Sequence, residues 1–216
     1  MRAAWIGVQG ASQEEVLGVL GLEPVPDAPA GDWFDGGFTC RTFPGGWFVV
    51  TSERDLDLAD DLATAAATTD QMAVGCEMST IVMYSEAHGY HGGELQWSVT
   101  HDPDDEARPL AVEGAPPAIL ADLKAKALKA QAGEEDVDYV FEVPMQVVGH
   151  YTGFVYDEDD ATDWVLLRSA AVRPGRRERP ADLERPNYAL WRYLLLALLG
   201  VTLLGWLLQT FFQRPA

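Results

Sequence analysis

Residues 71–101 read QMAVGCEMSTIVMYSEAHGYHGGELQWSVTH, and this stretch decides the fold. Its last arm alternates, with Leu95, Trp97, Val99 and His101 on one face and Glu94, Gln96, Ser98 and Thr100 on the other. A period of two with apolar residues on one side is the pattern of an antiparallel strand with one buried face. The glycine-rich run HGYHGG at 88–93 supplies a turn, so the arms are expected over 80–87 and 94–102. Residues 72–78 read as a strand that precedes this hairpin.

Working outward, residues 3–8 (AAWIGV) read as a first strand. Ser12 and Glu15 have the spacing of a capping box, in which each side chain satisfies a backbone N–H of the other's turn. Val16, Leu17 and Leu20 then form a short helical face that closes near Gly21. Residues 23–36 are rich in Pro, Gly and Asp and read as loop. Residues 38–43 and 47–51, joined by Pro44-Gly45-Gly46, predict a second hairpin. Residues 56–67 predict an alanine-rich helix. Pro116-Pro117 opens another, running to about 132, with Ile119, Leu120, Leu123, Ala127 and Leu128 on its inner face and Gly133 after it. Residues 142–149 predict a short helix with Pro144 in its first turn, and 163–171 a last strand or helix. Strands and helices do not alternate strictly, so the fold class is α+β, a mainly antiparallel sheet with a few short helices. It is followed by a linker and a single C-terminal transmembrane helix.

The transmembrane expectation rests on residues 193–212, YLLLALLGVTLLGWLLQTFF, an apolar run of 20 residues without charge. A helix of that length is about 30 Å long, the thickness of a bilayer's hydrocarbon core. Arg192 and Arg214 bracket it, and Tyr188, Trp191 and Tyr193 crowd one edge as interfacial aromatics do. Upstream stand Arg168, Arg173, Arg176, Arg177, Arg179, Arg185 and Arg192; downstream stands Arg214 alone. That asymmetry places the N-terminal side in the cytoplasm. The opening residues, MRAAWIGVQGASQEE, lack the continuous apolar stretch of a secretory signal. The expected organisation is an acidic cytoplasmic domain over 1–168, an Arg/Pro-rich juxtamembrane linker over 169–187 and a tail anchor with its flanks over 188–213. The expected location is the cytoplasmic membrane, crossed once.

The formal charge of −19 hides a division. Through Val165 there are 31 acidic and 7 basic residues, a net of −24; from Leu166 onward there are 3 and 8, a net of +5. The basic collar suits anionic headgroups, which attract each Lys or Arg by about 1 kcal/mol near the surface. The acidic head disfavours nucleic acid, whose binding depends on neutralising phosphates, and favours basic partners. The only cysteines, Cys40 and Cys76, suit a reducing compartment and build no disulfide framework. All three lysines, Lys124, Lys126 and Lys129, lie on one predicted helix and spread around its outer side.

Candidate chemistry is sparse. His88, His91 and Glu94 can meet at the predicted turn, but two histidines and one carboxylate make a thin ligand set for zinc. No metal and no cofactor is therefore expected. With the turn centred on His91, His101 falls opposite Ile81, about 23 Å along the ladder from His88 at about 3.3 Å per residue. The best catalytic set is His101 and Asp102, with Cys76 as a nucleophile brought beside them. Trp33 and Phe34 lie in a Gly/Asp loop, either as an interface anchor or folded back on the core. There is no nucleophile elbow, phosphate-binding loop or zinc-protease motif. The sequence therefore favours a membrane-tethered, non-enzymatic module that recruits a basic protein partner. The alternatives are a membrane-associated hydrolase using His101, Asp102 and Cys76, and an accessory subunit of a membrane complex or an immunity-type protein.

Overall fold

The computed structural model describes residues 1–170 apart from 35–36, 54–57, 106–107, 134–136, 158 and 160. The juxtamembrane linker from residue 171, the apolar run and the interface set Arg173, Arg176, Arg177, Arg179, Arg185, Tyr188, Trp191, Arg192 and Arg214 lie outside the described residues. Among the described residues, no helix is long and apolar enough to cross a membrane.

Among the described residues the fold is α+β: one antiparallel sheet of nine strands with four short α-helices. The strands are β1 (Arg2–Gln9), β2 (Leu22–Pro24), β3 (Phe38–Phe43), β4 (Trp47–Ser52), β5 (Met72–Ser79), β6 (Tyr84–His91), β7 (Glu94–His101), β8 (Ala111–Gly114) and β9 (Val165–Ser169). The helices are α1 (Gln13–Leu20), α2 (Leu58–Thr69), α3 (Ile119–Gln131) and α4 (Val143–Thr152). Strand order is β2-β9-β3-β4-β1-β5-β6-β7-β8, and every neighbouring pair is antiparallel. β1 is central, buried along six consecutive residues, because both of its faces are covered.

The period of two divides β1 between two cores. Ile6 and Val8 join Val16, Leu17, Leu20, Leu62, Ala65 and Ala66 under α1 and α2. Ala3 and Trp5 face the opposite way, toward Leu120, Ala127, Val147 and Phe154 beside α3 and α4. The capping box forms as spaced: Glu15 N donates to Ser12 Oγ at 3.2 Å, and Ser12 N donates to Glu15 Oε2 at 2.8 Å. Gly21 closes α1 in the left-handed region. The alanines of α2 let it lie directly on β1, β5 and β6.

Several boundaries differ from the sequence expectation, each for a local reason. The central hairpin turns at Gly92-Gly93, both at positive φ, as a two-residue loop requires to match strand twist. His91 therefore pairs with Glu94, β6 runs to His91, and His101 pairs with Ser85 rather than Ile81. Residues 80–83 form the preceding turn, where Ile81 and Val82 are exposed. The register shifts between Gly89 and Tyr90, so that Tyr90 pairs with Leu95 and Gly89 with Trp97. Trp97, Val99 and His101 share the buried face as expected, but the shift takes Leu95 off it, and Leu95 is exposed. The Trp97 indole covers Gly89: a Cβ there would sit 2.3 Å from the ring. Leu128 is exposed, while Leu120 and Ala127 face inward. Glu23 and Pro24, expected in a loop, belong to β2. The last element, expected over 163–171 as a strand or helix, is the strand β9, which fills the gap between β2 and β3.

Candidate functional site

The sequence candidates are dispersed by this register. His101 is buried at the end of β7, with Nδ1 2.7 Å from Pro109 O and Nε2 2.8 Å from Asp138 Oδ2. Asp138 Oδ1 in turn accepts from Val140 N and Phe141 N, capping the 3-10 turn at Tyr139–Glu142. His101 is thus a cross-brace between β7 and the segment leading into α4. Asp102 does not join it: its Oδ1 accepts from Asp104 N two residues on. Cys76 shares the same sheet face but lies two strands away and two positions along. At about 4.8 Å per strand and about 3.3 Å per residue, the Cα separation from His101 is about 12 Å. That is beyond the reach of a base to its nucleophile. Cys76 is fully buried, and burial first, then the charges of Glu86 and Glu77, hold its thiol well above the ordinary range. Cys40 lies in the other core, its thiol pushed up to about 12 by burial, and both cysteines are free.

The histidines of the hairpin also separate. His91 and Glu94 are exposed beside the glycine turn. His88 is three residues from His91 along β6, so alternation points the two to opposite faces. Its Nε2 lies 3.8 Å from Glu86, and its Nδ1 is buried without a hydrogen-bond partner. Burial lowers the His88 pKa, against the opposing pull of Glu86, Glu77 and Glu113. Among the described residues, no group of three such side chains could hold a metal ion. Trp33 folds back on the core, its ring 5.6 Å from Phe154 and its carbonyl accepting from Thr39 and Thr51. Phe34 stays 39% exposed beside it.

A different set of side chains does converge, of which the sequence singles out only Leu123 and Lys126, on one predicted helix. α4 ends at Gly153, whose positive φ turns the chain back so that Phe154 enters the core. Phe154 packs edge-on against Trp5, Trp33, Phe43 and Trp164, each such pair adding about 0.5–1.5 kcal/mol beyond its buried area. Two residues later the Tyr156 ring stacks on Trp5, centroids 6.2 Å apart. The returning segment and α4 close against α3 around a cleft of about 360 Å³. Leu123, Met145 and Val155 supply apolar wall; Lys126, Glu142, Gln146, His150, Tyr156 and Asp157 supply the polar groups.

The electrostatics there are uneven. Glu142 is half-buried, and burial, then the Asp157 charge, raises its pKa. Gln146, donating at 3.3 Å, and Lys126 offset part of that rise. Tyr156 is pushed up to about 12 by burial, then by Asp157 and Glu142, so its phenol remains a neutral donor at physiological pH. The cleft thus presents two carboxylates against one ammonium. A larger trough of about 710 Å³ between α1 and α2 is lined by Ser12, Glu14, Glu15, Gly18, Val19, Thr64 and Thr68. It is open, and Glu15 is already committed to the capping box. The cleft is the stronger site, because there a half-buried carboxylate, Glu142, and the exposed Lys126 and Asp157 line apolar walls together. Its signal in sequence is faint: a Glu at the head of a Pro-containing helix, and Tyr156-Asp157 after its Gly153 cap. No protein-family model, no curated protein and no solved structure matches the chain.

Proposed function

We propose that the chain is a membrane-tethered interaction module, anchored by residues 193–212, whose acidic cytoplasmic head recruits a basic protein partner to the bilayer. The observation that carries this reading is the charge division, −24 through Val165 against +5 beyond it. The folded head supports it. Four of its arginines, Arg2, Arg41, Arg108 and Arg168, are already held in ion pairs with its own carboxylates. The remaining acidic excess is available to a partner and steers encounter with basic surfaces. Catalysis has less support, since His101 is braced by Asp138, Asp102 faces its own turn and Cys76 is buried apart from both.

The test is purification of the full chain from detergent-solubilised membranes at low salt, followed by a salt wash. The reading expects the chain in the membrane fraction after alkaline extraction. It also expects a basic protein that co-purifies and is released as ionic strength shortens the Debye length. A chain that leaves the membrane on alkaline extraction overturns the anchor. A co-purifying protein that resists high salt overturns the electrostatic basis of recruitment.

A further inference from the structure

We propose that the cleft between α3, α4 and the segment 153–157 is the seat for one basic side chain, a lysine or arginine, of the recruited partner. This rests on the recruitment reading and gives it an address.

The argument starts from shape. At about 360 Å³ the cleft is at the small end of ligand sites, which span about 300–1,000 Å³. It suits one long side chain rather than an extended ligand. Leu123, Met145 and Val155 offer apolar contact to an aliphatic stem, which Lys and Arg bury readily while keeping their charged heads in polar surroundings. The polar groups match such a head. Glu142 and Asp157 are near enough for the charge of one to act on the other, an arrangement that a cation between them relieves. The Tyr156 ring, fixed by its stack on Trp5, adds an aromatic surface of the kind cations favour. Lys126 sits in the same lining as an internal competitor. Its ammonium keeps the empty cleft from carrying the full double charge and repels an incoming cation.

That competition gives the inference opposite signs at neighbouring residues. Glu142→Gln removes an acceptor for the cation and should weaken binding about tenfold or more. Asp157→Asn should weaken it less, since Asp157 is exposed. Lys126→Ala should tighten binding, which loss of a merely structural contact would not do.

The experiment uses the full chain in nanodiscs of zwitterionic lipid at pH 8, with methyl-labelled methionine. There are five methionines, and Met145 is the one that lines the cleft. An arginine-containing and a lysine-containing peptide of equal length are titrated in separately. The expected result is a saturable shift of the Met145 methyl signal, with Met1, Met72 and Met83 unmoved, weakened by Glu142→Gln and strengthened by Lys126→Ala. If the peptides bind with salt-sensitive affinity but Met145 does not shift and Glu142→Gln binds equally well, the cleft inference fails while recruitment stands. If neither peptide binds, both fail. If Lys126→Ala loses binding, Lys126 does not compete with the incoming cation and the proposal is overturned.

Discussion

Trp5 and Ile6 are neighbours in β1 yet belong to different interiors. Ile6 faces a core of medium aliphatic and alanine side chains under α1 and α2, in which nothing but Tyr90, Phe38 and Phe48 is aromatic. Trp5 faces a core built on Trp33, Phe43, Trp47, Trp97, Phe154 and Trp164. The aromatic side also holds the cleft with its half-buried Glu142, which Tyr156, stacked on Trp5, helps to line. The same division separates two histidines of one hairpin. His101, on the aromatic side, has a partner at each ring nitrogen; His88, on the other, has a buried Nδ1 without one. The lesson is that the two faces are specialised: the aromatic one carries the site and the braced His101, with the indole N–H groups of Trp5 and Trp164 buried without a partner, while the other is close-packed around aliphatic side chains and holds the unpartnered Nδ1 of His88.

The largest break in that comparison is expected in β1 itself. Trp5→Ala should cost about 3–5 kcal/mol, whereas Ile6→Val should cost about 0.5–1.5 kcal/mol. Urea unfolding of the full chain in mild detergent, followed by near-ultraviolet circular dichroism, measures both. Equal losses would remove the distinction between the faces. Next in size is the brace. Asp138→Ala leaves His101 Nε2 and the N–H groups of Val140 and Phe141 without their acceptor, a loss of about 1–3 kcal/mol in the same assay.

The pH dependence addresses His88. Its pKa in the folded chain is held below the ordinary 6.5. The unfolded chain therefore binds more protons between the two values, and stability falls as pH drops through that window. The contribution is complete above about pH 6.5 and lost as the buried ring finally charges. His88→Leu should flatten this part of the acid limb, read as the unfolding midpoint between pH 7.5 and 5. An unchanged slope would show that His88 is not the group responsible. The smallest effect is at Glu142, which has the opposite sign. Its pKa is raised on folding, so ionisation disfavours the folded state and the penalty grows as pH rises through the folded value. Glu142→Gln should raise the melting temperature slightly at pH 8 while weakening peptide binding. A lowered melting temperature would mean that the carboxylate is a structural contact.

Much of this architecture is legible in the residues, because period-two patterning and turn chemistry are local. Trp97, Val99 and His101 show their shared face, Ser12 and Glu15 show a helix start, and Pro44-Gly45-Gly46 marks a turn. The register is less legible. HGYHGG offers several places to turn, and the choice of Gly92-Gly93 depends on the hairpin tip packing on α2, where a Cβ at Gly93 would lie 2.8 Å from Ala67. That choice moved His101 four residues from its expected partner, to Ser85. The cleft was hidden for the same reason: Lys126, Glu142 and Asp157 are 31 positions apart at the extremes, and only the return of the chain at Gly153 brings them together.

The most direct measurement is recruitment at a membrane. Full-length chain is reconstituted into zwitterionic vesicles, which do not themselves attract cations, and a fluorescent arginine-rich peptide is co-sedimented with them over a range of salt. The account predicts that the peptide pellets with the protein-bearing vesicles at low salt, is lost steeply as salt rises, and stays in solution with bare vesicles. Peptide that remains in solution at every salt concentration, or pellets equally with bare vesicles, would contradict it.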